Sequence, residues 1–251
     1  MGDRLNASEI QKNLCEKISK IEVFENIDST NSYGKGYILS GNPLPALVLS
    51  EEQTAGRGRC DRSFYSPKES GLYTSILYSQ NSKPEDALFA TITASVASAL
   101  AIEELSDKSV QIKWVNDIYI DGKKAGGILC ESVFFDGQMG VVVGIGINVS
   151  TKKFPEFENN TPTSTGNLDR NALAAKIYDY FVKFSKDKSY CLEEYKKRFF
   201  LLNKAISIHR PNGVIDSATA RGIDELGGLI VEHENGKAEI IRTGEVTVRL
   251  K

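Results

Sequence analysis

Apolar positions recur along this chain with two periods, and the changes of period divide it. Over 8–20, Ile10, Leu14 and Ile18 return every four positions, as on an amphipathic helix, and Ser8 with Gln11 has the form of a capping box. Residues 21–27 read as a strand that runs into Asp28-Ser29-Thr30-Asn31, a polar turn whose side chains suit the cap of a following helix. Strands are expected at 46–51 and 72–78. The clearest helix is 84–105: Ser82 and Glu85 make a capping box, Pro84 sits in the first turn, and Leu88, Phe89, Ile92, Val96 and Leu100 form the apolar face. Further strands are expected at 110–114, 118–120, 125–131 and 140–148, with Asp121-Gly122 and Asp136-Gly137 as hairpin turns. Residues 169–186 and 189–200 return to a helical period, with Leu173, Ile177, Phe181 and Phe184 on one face.

From 205 onward the helical period is gone. Short β runs alternate with Asn212-Gly213, Gly227-Gly228 and Asn235-Gly236, the grammar of a small, separate β-barrel. The pattern therefore predicts an α+β protein in three parts: an N-terminal extension (1–20), a larger mixed unit (21–203) and a C-terminal barrel (204–251).

Composition narrows the function. A chain of 251 residues should bury roughly 70% of its unfolded surface, enough for a core without disulfides. With 41% hydrophobic and 25% charged residues, global disorder is excluded. The net charge of −2 disfavours a dedicated nucleic-acid binder. Four cysteines without a C-x-x-C pair, and two histidines far from them, exclude a structural zinc site. Reduced thiols point to the cytoplasm, and the N-terminus has no signal-peptide core. No stretch approaches the roughly 18 apolar residues of a membrane span, so no membrane association is expected.

Three segments carry unusual chemistry. Gly56-Arg57-Gly58-Arg59 combines backbone that can lie against a ligand with guanidinium forks suited to phosphate or carboxylate. Alone, it reads as well as an exposed basic loop, or more weakly as a single RGG-type RNA element. Lys113-Trp114-Val115-Asn116-Asp117, followed by Lys123-Lys124-Ala125-Gly126-Gly127-Ile128-Leu129, brings opposite charges together, in either a site or a salt-bridged hairpin. Gly144-Ile145-Gly146-Ile147-Asn148 ends a strand; it lacks the third glycine of a dinucleotide fingerprint. There is no Walker A loop and no Ser-His-Asp or Cys-His nucleophile arrangement.

Taken in order, Asp28-Ser29-Thr30-Asn31, Gln53 with Gly56-Arg57-Gly58-Arg59, Lys113-Trp114-Val115-Asn116-Asp117, Lys124 with Gly127-Ile128-Leu129, and Gly144-Ile145-Gly146-Ile147-Asn148 resemble the motifs of biotin–protein ligases. Arg221-Gly222-Ile223-Asp224 resembles part of that family's C-terminal domain. The resemblance implies a central mixed β-sheet flanked by helices, of the class II synthetase and biotin ligase kind, plus an SH3-like barrel. It implies an enzyme that activates biotin as biotinyl-5′-AMP and transfers it to a lysine of a biotin carboxyl carrier protein. Biotin and ATP with Mg²⁺ are substrates, and no tightly bound cofactor is expected. Ser29, Thr30, Asn31, Gln53, Gly56, Arg57, Gly58, Arg59, Lys124, Gly127 and Gly146 are implied at biotin. Arg59, Arg62, Asn116 and Asn148 are implied at the nucleotide, and Lys124 and Arg59 in catalysis. No protein ligand of Mg²⁺ is assigned; Asp117 is the nearest candidate.

Two departures stand out: Val115 replaces the family's usual proline, and Cys60-Asp61-Arg62 replaces a commoner Arg-Gly-Arg. The short N-terminal extension implies the ligase-only type, without a DNA-binding domain; a homodimer is compatible with it. Alternatives are a lipoate–protein ligase of the same fold, and a non-catalytic biotin-binding or regulatory protein.

Overall fold

A computed structural model of the chain describes residues 3–60, 62–80, 85–135, 138–156, 161–210, 212–242 and 247–250. A seven-stranded mixed sheet organises the larger unit. Strand β1 (Lys20–Phe24) runs parallel to β2 (Ala46–Ser50). Antiparallel neighbours then follow: β3 (Gly71–Gln80), β7 (Gln138–Asn148), β6 (Lys123–Phe135), β5 (Asp117–Ile120) and β4 (Val110–Lys113). The two-residue period of these strands feeds two cores. Leu47, Leu49, Ile76, Val141 and Val143 enter the main core. Helices α3 (Glu85–Leu105), α4 (Arg170–Lys186) and α5 (Lys188–Lys197) cover that face. Val48, Leu77, Val133 and Val142 point the other way, into a smaller core under α2 (Thr30–Leu39).

The expected α+β architecture with a helix-flanked mixed sheet is present. The Asp121-Gly122 hairpin has both residues in the left-handed region, at φ 51° and 71°, as a type I′ turn requires. Ser82 of the expected capping box and the Asp136-Gly137 turn lie outside the described residues. Helix α3 is apolar nearly all round, because it lies between the sheet, α4 and α5. Its Leu88–Leu105 window has the length and composition of a bilayer span but is 67% buried in the protein. This corrects the expectation that no such stretch exists; the run is a core helix in the fold.

The first helix, α1 (Ala7–Asn13), is shorter than the sequence pattern predicts. Its cap is Asn6, whose side chain accepts from the Ser8 and Glu9 backbone N–H groups, rather than a Ser8–Gln11 box. It stops because Asp179 on α4 takes the N–H groups of Cys15 and Glu16 (2.9 Å each) that would have continued it. The last helix of the larger unit likewise ends at Lys197: the Ile112 N–H donates to Arg198 O, and the Phe200 N–H to Ile112 O, so this segment covers the β4 edge. Arg170, 1% exposed, pairs with Glu51 (2.7 Å) and Asp3 (3.0 Å), tying the N-terminal segment to the end of β2.

Strands β8 (Ala205–His209), β9 (Ile215–Ile223), β10 (Leu229–His233), β11 (Ala238–Ile241) and β12 (Thr247–Leu250) form the second sheet, in the order β11-β10-β9-β8-β12. All neighbours are antiparallel. It joins the larger unit through Trp114, whose indole N–H donates to Gly227 O (3.0 Å).

Candidate active site

The α2 side of the main sheet opens into a cleft of about 1100 Å³. The alternation of β7 explains the opening. Val142, Gly144, Gly146 and Asn148 share one face, while Ile145 and Ile147 are buried on the other. Val142 fills the small core; the glycines past it leave the face bare. A Cβ on Gly144 would stand 2.2 Å from Asn31 Oδ1, and one on Gly146 would stand 2.6 Å from the Phe64 ring.

Of the fourteen site residues that the sequence suggests, thirteen line this cleft: Ser29, Thr30, Asn31, Gln53, Arg57, Gly58, Arg59, Arg62, Asn116, Lys124, Gly127, Gly146 and Asn148. Gly56 does not. It is buried beneath the loop, where a Cβ would meet Phe64 O at 2.4 Å and Ser66 Oγ at 2.7 Å, so its glycine identity serves packing.

One end of the cleft is a hydrogen-bonded polar cluster. Ser29 caps α2, its side chain accepting from the Ser32 N–H. Gln53 Oε1 accepts from the Thr30 N–H (2.9 Å) and the Thr30 hydroxyl (3.1 Å), and Gln53 Nε2 donates to Ser66 (2.9 Å). Ser75 Oγ lies 2.7 Å from Asn31 Oδ1 and 2.8 Å from Thr30 Oγ1. The Asn31 amide donates to Leu129 O (3.1 Å) and to Glu131 (2.9 Å), and Glu131 also pairs with Lys35 (2.5 Å) and Arg57 (3.4 Å). Burial pushes the Glu131 carboxyl up, but the bonds from Lys35 and Asn31 and the charges of Lys35 and Arg57 outweigh it and hold the group below its ordinary range.

The other end is charged. Lys124 Nζ lies 2.6 Å from Asp117 Oδ1. These residues face each other because β5 and β6 form the hairpin closed by Asp121-Gly122. Lys113 is pulled below the usual lysine range by burial, against the attraction of Asp117 and with Lys124 adding repulsion. Arg59 donates to Asn116 Oδ1 (2.6 Å), and Asn116 Nδ2 donates to Ile128 O (2.9 Å). Arg59 is therefore half-buried, and the loop is not wholly exposed as its composition suggests. The loop is itself a small hairpin, with Arg57 bridged to Ser63. Arg62 donates to Thr247 of β12 (3.2 Å), and Asn148 Nδ2 donates to Thr163 O (3.2 Å). Asp61 lies outside the described residues.

Sequence reading missed Lys35, Ser75, Glu131, Thr247 and Arg249. Glu131 was accessible in principle, since alternation from Gly127 puts Leu129 and Glu131 on the cleft face. Thr247 and Arg249 reach the cleft only because the second sheet packs against its mouth.

A hydrogen-bonded polar end of the cleft thus sits beside an end that carries Arg59, Arg62, Lys113 and Lys124. Residues 23–148 match the Biotin/lipoate A/B protein ligase family, and residues 201–249 match the Biotin protein ligase C terminal domain. The chain is 31% identical to the bifunctional ligase/repressor BirA of Escherichia coli, over 98% of this chain and 78% of that protein. It is 26% identical to the biotin–[acetyl-CoA-carboxylase] ligase of Mycobacterium tuberculosis, over 90% of this chain and 88% of that one. The structure of the Aquifex aeolicus biotin protein ligase in complex with biotin and ATP superposes with a TM-score of 0.76 at 25% identity, covering 93% of this chain and 100% of that one. With the cleft, the two matched segments and the similarity to BirA along nearly its whole length, the chain belongs to the biotin/lipoate A/B protein ligase family.

Proposed function

We propose that the chain is a biotin–protein ligase of the biotin–[acetyl-CoA-carboxylase] kind, with residues 21–203 forming the catalytic unit and 204–251 closing the mouth of its cleft. The observation that carries this reading is the convergence of residues from five separated motifs on one cleft, polar at one end and cationic at the other.

The chemistry follows from the charges. A carboxylate must approach the α-phosphate of ATP, and both are anions. The biotin carboxylate oxygen bonds to the α-phosphorus while the bond to pyrophosphate breaks. Lys124, held by Asp117, places an ammonium where that charge accumulates. The carrier's lysine amine then attacks the carbonyl of the mixed anhydride, losing a proton as AMP leaves. Arg59, tethered to Asn116, and Arg62 close the loop over the adenylate and exclude water that would hydrolyse it. Asn116 and Asn148 face the nucleotide, and Ser29, Thr30, Asn31 and Gln53 face the ureido ring. Mg²⁺ enters on the phosphates of ATP. Cys15, Cys60, Cys130 and Cys191 form no disulfide with one another, which fits a reducing compartment such as the cytoplasm.

The test is incubation with ATP, Mg²⁺, a biotin carboxyl carrier domain and either biotin or lipoate, read by pyrophosphate release and intact carrier mass. One added biotinyl group is expected. Transfer of lipoate but not biotin would overturn the reading, and binding of biotin without turnover would make the protein a non-catalytic binder.

A further inference from the structure

Glu131 is not among the residues that the sequence motifs suggest, yet its carboxylate receives two hydrogen bonds and one further ion pair from two parts of the chain. Oε2 accepts from Asn31 Nδ2 (2.9 Å). Oε1 accepts from Lys35 Nζ (2.5 Å) and faces Arg57 Nη1 (3.4 Å). Asn31 and Lys35 stand one turn apart on α2, whereas Arg57 belongs to the glycine-flanked loop.

The consequence falls on Asn31. A carboxamide has one end that donates and one that accepts, and a rotation of the amide exchanges them. Leu129 O and an ionised carboxylate are both obligate acceptors, so the end of Asn31 that meets them must be the NH₂. Both amide hydrogens are then committed. The oxygen is left beside the Ser75 hydroxyl (2.7 Å), seated over Gly144 where any Cβ would collide with it. With one lone pair directed to Ser75, the other remains for a ligand, and Asn31 lines the cleft. The wall presents an acceptor and no donor at this point.

We propose that Glu131 is a specificity-positioning residue: by fixing the Asn31 carboxamide with its oxygen toward the cleft, it makes this wall select a ligand ring that donates N–H. The proposal rests on the reading of the chain as a biotin ligase and deepens it. A cyclic urea has N–H groups to give; a dithiolane, the ring of lipoate, has none. Removing Glu131 leaves Leu129 O as the only fixed acceptor, so the amide is held by one bond where it was held by two. The anion also polarises the carboxamide and strengthens its oxygen as an acceptor.

The experiment measures binding of biotin, and of biotin methylated on its ureido nitrogens, to wild type, Glu131→Ala and Glu131→Gln by calorimetry, with KM and kcat for biotin and for ATP alongside. Wild type should prefer biotin over the methylated analogue. Glu131→Ala should weaken biotin by roughly ten- to a hundredfold, the worth of a charge-assisted hydrogen bond, while the analogue changes far less, so the preference collapses. The loss should appear in KM for biotin, with KM for ATP unchanged and the methylated analogue little affected. Glu131→Gln still offers an acceptor oxygen to Asn31, so it should keep more of the preference than Ala. A preference unchanged in both variants would overturn the proposal, as would equal weakening of biotin and its analogue, which is the mark of a merely structural role. If Glu131→Ala fails to fold, Glu131→Gln decides alone: a preference for biotin smaller than wild type supports the proposal, and one equal to wild type overturns it. Absence of biotin activation by the wild type would instead overturn the reading beneath it, and the proposal with it.

Discussion

Lys124 and Arg59 stand on different elements and should fail differently. Replacing Lys124 by Gln keeps length and hydrogen bonding but removes the charge beside Asp117. Adenylate formation should slow by about 10²–10³-fold, the usual effect of losing one electrostatic stabiliser, while amine attack on supplied biotinyl-5′-AMP changes little. Pyrophosphate release measured against single-turnover transfer separates the two steps; activation within about threefold of wild type would remove Lys124 from this role. Arg59→Gly should shorten the life of the bound adenylate by roughly ten- to a hundredfold, as expected for one charge-assisted hydrogen bond. Biotin should then appear on an added inert protein. Because Arg59 is anchored to Asn116 rather than lying free, a modest loss of stability should accompany the leak; an unchanged half-life without bystander labelling would shift the clamp to Arg57 or Arg62.

At the scale of elements, the strands and α4 were legible because their periods were clean. The GIGIN strand is the plainest case: its isoleucines face the helices, its glycines clear the cleft, and both follow from alternation. What was not legible depended on contacts distant in sequence. The pattern 8–20 could not show that Asp179, more than 160 positions away, would capture two backbone donors and end α1 at Asn13. Nor could Gly56 be told from its neighbours in the loop, since its reason for being glycine is the Phe64 carbonyl beneath it. The Arg170–Glu51–Asp3 cluster is another such contact, and it predicts its own weakness. Arg170→Met should leave Glu51 as an uncompensated buried charge and cost about 3–5 kcal/mol, read as a lower urea midpoint. A midpoint equal to wild type would mean that the arginine adds nothing to folding.

For the whole molecule, acid stability follows from carboxylates held below their ordinary range. Glu131 is one: burial opposes its ionisation, but Lys35, Asn31 and Arg57 prevail. A lowered folded-state pKa contributes stability that is complete above the unfolded value of about 4.3 and disappears as pH falls through the folded value. Glu131→Gln should therefore flatten the acid limb of a stability–pH curve below about pH 4 and leave its neutral limb parallel to wild type; an acid limb as steep as the native one would refute the sign. The two sheets meet elsewhere, at Trp114. The residue is the only tryptophan in the chain, it belongs to a cleft motif and to the main core, and its indole N–H is given to Gly227 of the second sheet. The protein thus carries its one indole, which can be excited apart from its ten tyrosines, at the junction of its two parts. Tryptophan emission, whose colour depends on solvent access and on the indole hydrogen bond, would register any parting of the second sheet from the cleft during turnover, without a label.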